Sequence, residues 1–205
     1  MKNEIVEWRG VENLVAAEVI TDDGEKYETG EVFKIAGIAE LSRTTENSSE
    51  TKYYDNVPAL VIDSVGADTV TASVSAIDLE TLAKITGQHF DTETGAFVEG
   101  QREAKYFALG YKTKKTNNDE VYVWRLKGKF SIPDSTHSTQ TAGTESNGQE
   151  ITFTGISTTH KFTKIGKPAK AINVDVALGK ADVSTFFDQV TTIDTLQAVE
   201  EIPSA

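Results

Sequence analysis

The sequence contains no cysteine, so neither a disulfide bridge nor a cysteine-ligated metal can contribute to the structure. It also lacks any stretch of about 18 apolar residues, the minimum for a helix that spans a membrane. Residues 1–10 alternate charged and apolar side chains and do not form the continuous apolar region of a secretion signal. These absences predict a soluble chain that has no membrane partner and is stabilised by packing of its core.

Basic residues are scarce as well. Lys and Arg number 20 against 32 Asp and Glu, which gives a formal net charge of −12. Nucleic-acid binding relies on Lys and Arg to neutralise phosphates, so a surface this acidic disfavours it. Solubility alone also favours such a charge, and both explanations stay open at this point.

No catalytic motif is present. His89, His137 and His160 are far apart, and none has the two-histidine spacing of a zinc protease. Gly166-Lys167 is followed by Pro where a phosphate-binding loop has Ser or Thr. The sequence therefore predicts no catalytic residue, no cofactor and no metal ligand, and we expect the protein not to be an enzyme. A hydrolase built on two separated carboxylates is the enzymatic alternative.

Apolar and polar side chains alternate with a period of two residues along much of the chain, which indicates half-buried β-strands. Residues 105–111 are apolar on both faces, which predicts a central strand that pairs with 122–130 as a hairpin. The other predicted strands are 14–21, 32–35, 39–45, 59–64, 69–76, 96–99, 151–162 and 171–177. Many strands and few helices predict a mainly β fold, a sandwich or a barrel.

One flanking α-helix is predicted between Asp78, which can cap its first turn, and Gly87, which ends it. A second, shorter helix is predicted to begin near Asp182. The predicted long loops are residues 44–57, 133–149 and the acidic end, 191–205.

The predicted division of the chain has two parts. Residues 1–162 form a β-sandwich domain. Residues 163–205 supply a strand, the short helix and an arm, either in the same domain or as an appendage.

Several segments together resemble the major tail proteins, or tail tube proteins, of bacteriophages with long non-contractile tails. The segments are residues 11–17, 49–56, 78–87, 108–111 and 122–130, and they occur in the order of that family. The resemblance implies a β-sandwich with a flanking helix and rings of six copies that stack into a hollow tube. It also implies a virion protein that assembles in the host cytoplasm and has no catalytic residues.

The same resemblance implies the partners. Copies of the chain would surround a tape-measure protein and meet tail terminator and distal tail proteins at the ends of the tube. DNA would pass through the lumen without specific binding, and a carboxylate-lined lumen would repel its phosphates.

Two surfaces are candidates for assembly. The loop at residues 44–57 is a candidate for stacking one ring on the next, and its candidate residues are Glu46, Glu50, Lys52, Tyr53, Tyr54 and Asp55. Adjacent strand residues point to opposite faces, so one of the two tyrosines must leave its own face toward solvent or a partner.

The second candidate surface is a basic strand face of Arg125, Lys127 and Lys129, which we expect to lie away from the DNA channel. Residues 105–130 carry seven basic and two acidic side chains, whereas the first 31 residues carry nine acidic and three basic ones. Opposite charges on two stacking surfaces would favour head-to-tail order, and the attraction between them would weaken as the salt concentration rises. The alternative is that these basic residues form only a solvated strand face.

A non-catalytic immunoglobulin-like or carbohydrate-binding surface module is the alternative function, because it also needs many strands and no catalytic residues.

Overall fold

Eleven β-strands and one α-helix form the computed structural model of the protein, which describes residues 5–139 and 147–199. The strands are β1 (Trp8–Asp22), β2 (Tyr27–Thr29), β3 (Phe33–Lys34), β4 (Ile38–Tyr54), β5 (Val57–Val74), β6 (His89–Asp91), β7 (Ala96–Val98), β8 (Phe107–Lys115), β9 (Glu120–Phe130), β10 (Gln149–Gly155) and β11 (Ala171–Asp175). The helix α1 (Leu79–Thr86) lies between β5 and β6, and a short 3₁₀ turn (Val176–Leu178) follows β11.

Nine strands build one antiparallel sheet in the order β2-β1-β8-β9-β10-β5-β4, with β3 also paired to β1 and β11 also paired to β9. The sheet encloses a core to which β1, β5, β8, β9 and β10 all contribute buried apolar side chains. The mainly β sandwich with one flanking helix is therefore confirmed. The smaller hairpin of β6 and β7 stands apart from this sheet.

Strands β1, β8 and β9 are buried on both faces. Along β9, Val121 and Val123 face the first core, whereas Trp124 and Leu126 face a second core on the back of the sheet. The C-terminal segment covers that second core with apolar side chains, and the indole Nε1 of Trp124 donates a hydrogen bond to the carbonyl oxygen of Phe186 (2.8 Å). The predicted central hairpin, β8 with β9, is confirmed.

The predicted helix is confirmed at both ends. The carboxylate of Asp78 accepts a hydrogen bond from the backbone N–H of Thr81 at 2.8 Å, which satisfies one of the free donors of the first turn. Gly87 ends the helix with φ +71°, a left-handed conformation that glycine adopts without a steric penalty. Ile85 and Ala83 are buried, so the helix packs one face on the sheet domain.

Two predictions in the C-terminal half are wrong. The strand predicted at 151–162 ends at Gly155, and the chain continues as an irregular segment that buries Phe162 in the second core. The helix predicted near Asp182 is a pair of successive turns, with hydrogen bonds from Phe186 N–H to the Val183 carbonyl and from Asp188 N–H to the Thr185 carbonyl. β-Branched residues such as Val183 and Thr185 lower helix propensity, and burial of Phe186 orders the segment instead.

Parts of two predicted loops lie outside the described residues, namely 140–146 of the loop at 133–149 and 200–205 of the acidic end.

Candidate assembly surfaces

The loop predicted at residues 44–57 is wrong as a loop, because this segment is a regular strand. β4 continues to Tyr54 and pairs with β5 up to the register Tyr54↔Val57. Asp55 and Asn56 close the hairpin with φ +51° and +65°, the two positive values that a tight type I′ turn requires. Ser, Thr and Asn made this stretch resemble a loop in sequence, but its partner strand supplies the hydrogen bonds.

The outer part of this hairpin leaves the body of the protein. β10 pairs with β5 only between Asp68 and Val74, and no other strand of the described chain pairs with β4. Residues 46–67 therefore form a two-stranded ribbon with both edges and both faces open, which we call the arm. One extra residue of β5 between the registers Thr45↔Asp68 and Asn47↔Val65 makes a β-bulge at the base of the arm.

The arm exposes apolar side chains on both faces. Leu60 and Ile62 pair with Lys52 and Glu50 on one face, while Val61 points to the other face. The exposed large apolar side chains of the arm are Tyr53 (65%), Tyr54 (63%), Val57, Leu60, Val61, Ile62 and Val65. A strand that is apolar on both faces is ordinarily covered on both faces, and the described chain supplies no such cover for the arm.

The structure places all six predicted stacking residues on the arm. Glu46 lies at its base, Glu50 and Lys52 form an exposed ion pair along β4, Tyr53 and Tyr54 lie at the tip, and Asp55 is in the turn. The apolar residues of β5 were missed, because the run from Val57 to Ile62 also fits a buried core strand. The even spread of apolar residues over both faces was the signal that could have identified them.

A buried ionic cluster joins the arm to the body. Asp68 is 3% exposed and lies where β5 passes from the body into the arm. The guanidinium of Arg125 donates to its carboxylate at 2.6 Å, and the hydroxyl of Thr45 donates to it at 2.9 Å. The Lys170 ammonium group lies 3.5 Å from the same carboxylate and donates to the carbonyl oxygen of Gly66.

The basic outer face predicted on β9 is wrong for Arg125. A β-bulge places one extra residue of β9 between the registers Leu109↔Arg125 and Phe107↔Gly128. Arg125 lies before this bulge on the same face as Val121 and Val123, and it is only 6% exposed because the first core covers that face. Because a bulge reverses the alternation of side chains, the strand residues beyond it point the other way.

Lys127 and Lys129 lie beyond the bulge, and both ammonium groups stack over the ring of Tyr106, at 4.9 and 4.5 Å from its centroid. Lys127 also pairs with Asp22, which accepts backbone hydrogen bonds from Thr159 and His160. Burial acts to raise the pKa of Asp22, but the hydrogen bond from Lys127 and the two backbone hydrogen bonds outweigh it and hold the pKa below the ordinary value of 3.8.

The charge segregation seen in the sequence is resolved within one chain. β1 pairs with β8, which brings acidic side chains of the N-terminal region against the basic hairpin. Glu12 lies 2.8 Å from Lys112 and 2.9 Å from Lys114, and these ammonium groups hold the pKa of Glu12 below its ordinary value. The other ion pairs of the hairpin are Lys112–Glu120, Lys114–Glu120, Lys105–Glu18, Lys115–Asp175, Arg125–Asp68 and Lys127–Asp22. Six of the seven basic side chains in residues 105–130, all except Lys129, therefore pair with carboxylates of the same chain.

A family model described as phage tail tube protein matches residues 18–191 of the 205-residue chain. The chain belongs to the phage tail tube protein family. It is a structural subunit of a phage tail tube and a component of the virion tail, and members of such a family assemble with copies of themselves. Comparison with curated proteins finds no match.

Membership in a structural family indicates a tail tube protein that does not act as an enzyme. Within residues 5–139 and 147–199, no three His, Asp or Glu side chains group as metal ligands would. Helix α1 has eight residues, and no helix in the described part of this tail tube protein is long and apolar enough to cross a membrane.

A second exposed apolar surface of the tail tube protein lies at the end of the sheet opposite to the arm. A groove of about 220 Å³ opens between α1, the end of β7 and the segment after β9. Its apolar lining residues are Leu79, Leu82, Phe97, Ile132 and Pro133. We call this surface the α1 groove.

Proposed function

We propose that six copies of this chain form a ring, that the rings stack into the tube of a long non-contractile tail, and that DNA leaves the virion through its lumen. The main support for this proposal is the arm. The arm continues two strands of the sheet, yet the apolar side chains on both of its faces have no cover within the described chain.

The energetics of the arm support assembly. A two-stranded hairpin without further packing is marginally stable in water, so the arm needs a surface to lie against. Full burial of an aliphatic or aromatic side chain stabilises a protein or an interface by about 1.5–3 kcal/mol. The seven large apolar side chains of the arm are between 48% and 65% exposed. Covering them would contribute on the order of 5–10 kcal/mol per arm before the costs of association, as an upper bound.

We assign the arm to the joint between successive rings. Its tip projects beyond the last strand of the body, and it carries the six predicted residues, Glu46, Glu50, Lys52, Tyr53, Tyr54 and Asp55. Tyrosine is enriched at protein interfaces, because it combines a large apolar ring with a polar hydroxyl. The paired tyrosines at the tip therefore suit a contact with the next ring.

Within a ring, we propose that the sheets of neighbouring copies continue into one another. The outer edge of β4 has no strand partner in the described chain, although β4 is 17 residues long. A long unpaired edge is an aggregation site unless another strand covers it. A neighbour in the ring would supply that strand.

The balance of charge supports a lumen that does not hold DNA. The chain carries a net charge of −12, and Arg125 and Lys127 are neutralised by carboxylates of the same chain. We place these two residues and Lys129 away from the channel, because free cations there would bind the phosphates that pass. The tape-measure protein would fill this channel during assembly in the host cytoplasm, and tail terminator and distal tail proteins would close its ends.

Electron microscopy of the purified protein, with and without the arm, tests the proposal. Removal of residues 46–55 alone would leave the apolar half of β5 without its partner strand, so the arm should be shortened symmetrically. We expect wild type to form hollow tubes with six copies per ring. A variant with an Asn-Gly turn in place of residues 47–65 should stay folded and form no tubes.

The matched control keeps the arm and changes only its turn, with Asn56→Gly. Glycine also favours the positive φ that the type I′ turn requires at this position, so tubes should form as in wild type. Normal tubes from the short-arm variant would show that the arm is not the joint. A wild-type protein that stays monomeric at high concentration would favour the surface binding module instead.

A further inference from the structure

Exposed large apolar side chains are present at both of the opposite ends of β5. At one end is the arm tip, where Tyr53, Tyr54 and Val57 are each more than half exposed. At the other end, four residues connect β5 to α1. Leu79, the first residue of α1, is 48% exposed, and Ile132, which lines the α1 groove with it, is 53% exposed. With a rise of about 3.3 Å per residue, the 18 residues of β5 place the two ends roughly 55 Å apart.

The size of the α1 groove favours a side chain as its occupant. Pockets for drug-sized ligands measure about 300–1,000 Å³, whereas this groove measures about 220 Å³. A small apolar recess of this kind is typical of the anchor positions that dominate protein–protein interfaces.

The chemistry of the α1 groove matches a tyrosine. Its walls are apolar, while Gln88, Glu99 and His137 line it with polar groups that can bond a hydroxyl. Because the chain's own tip lies at the far end of β5, the tip that enters the groove must come from another copy.

We propose, on the basis of the ring-stacking role proposed for the arm, that the α1 groove receives the arm tip of a second copy of this chain. One tip and one groove at opposite ends of each copy make a head-to-tail contact. Such a contact propagates along an axis and does not close on itself, which is the geometry that a tube requires. Each ring would present six tips on one side and six grooves on the other.

The absence of native cysteine makes the contact testable by disulfide cross-linking of full-length chains. Val57→Cys changes the tip with little change in side-chain size, and Ile132→Cys changes the groove. Oxidation of an equal mixture of the two variants should give a disulfide-linked dimer that neither variant gives alone. Leu178→Cys is the matched control, since Leu178 is also exposed (56%) but lies outside both surfaces. A mixture of Val57→Cys with Leu178→Cys should give no such dimer.

Microscopy of the same samples separates the two proposals. Tubes that form without the link between positions 57 and 132 would overturn the assignment of the groove and leave the tube function intact. A mixture that forms neither tubes nor link would count against the proposed function itself.

A charged side chain in the groove gives a second measurement. Ile132→Glu should raise the protein concentration needed for tubes about 30-fold, which corresponds to the loss of one interface anchor at about 2 kcal/mol. Leu178→Glu should leave that concentration unchanged. Equal behaviour of the two Glu variants would overturn the assignment.

Discussion

Asp68 is the residue on which the direction of the arm depends. Its carboxylate is bound by groups from three separate parts of the chain: Thr45 on β4, Arg125 on β9, and Lys170 just before β11. A buried charge is costly unless it is paired and hydrogen-bonded, and here both conditions are met. The cluster therefore fixes the ribbon to the body at the point where the sheet divides.

Removal of this carboxylate should be strongly destabilising. Asp68→Ala leaves the guanidinium of Arg125 buried without its partner, so we expect a loss of about 3–5 kcal/mol in the free energy of unfolding. The measurement is urea unfolding at a concentration too low for assembly. Glu28→Ala is the matched control, because the pair Lys26–Glu28 is more than half exposed and should contribute less than about 1 kcal/mol. Similar losses in both variants would show that the Asp68 cluster contributes no more than a surface pair.

At this scale the sequence predicted side-chain types better than side-chain directions. Residues 122–130 were predicted to form a strand of the central hairpin, and Trp124 and Phe130 on this strand are both buried. Arg125 was predicted to lie on an outer strand face, and it is buried, because the first core covers the face that it shares with Val121 and Val123. The cover on both faces of β9 comes from segments distant in the chain, so the alternation along β9 alone does not predict it.

Among the elements, α1 was predictable because both of its ends depend on local chemistry. Asp78 and Gly87 act on backbone groups within a few residues of themselves. The arm was not predictable as a ribbon, because the pairing of β4 with β5 beyond Asp68 has no core that an alternating pattern could indicate. Its polar strand was therefore predicted as a loop, and its apolar strand was predicted only as a short strand at residues 59–64.

Gly87→Ala should disrupt the end of α1. The residue has φ +71°, and an added Cβ would lie 2.0 Å from the carbonyl oxygen of Glu103, so the backbone would have to move. A left-handed conformation alone costs about 1–2 kcal/mol for a residue with a Cβ, and we expect a loss of at least about 2 kcal/mol. Thermal or urea unfolding measures it, with Gly24→Ala as the control, since the Cβ added there meets no atom within 4 Å. A Gly87→Ala protein as stable as the control would contradict the geometry at this cap.

At the scale of the whole molecule, the charges and the apolar surfaces have separate roles. The ion pairs lie largely between strands of one chain, whereas seven of the exposed large apolar side chains lie on the arm and two, Leu79 and Ile132, line the α1 groove. The sequence indicated the opposite charges and left two alternatives open, a joint between copies or a solvated strand face. The pairing of β1 with β8 brings Glu12 and Glu18 against Lys112 and Lys105, and that pairing joins residues about a hundred positions apart.

Tube formation should therefore resist salt. Between about 0.1 M and about 1 M NaCl the screening length falls from about 10 Å to about 3 Å, which weakens charge contacts between copies but not apolar ones. We expect equal tube yields by light scattering and microscopy over this range, and higher yields in ammonium sulfate, which strengthens apolar burial. Tubes that dissolve as NaCl rises would point to an electrostatic joint between copies.

The uninterrupted course of β5 has a mechanical consequence. The strand runs from the arm tip at Val57 to Val74, and four residues connect Val74 to α1. A force applied to the tip is therefore transmitted by the covalent backbone to the opposite end of the same copy. With the tip of one copy seated in the groove of the next, covalent strands and docked tips would alternate in series along the tube. Tension would then stretch the docked tips before it could unfold a subunit, and a bent tail could flex at these points and straighten again.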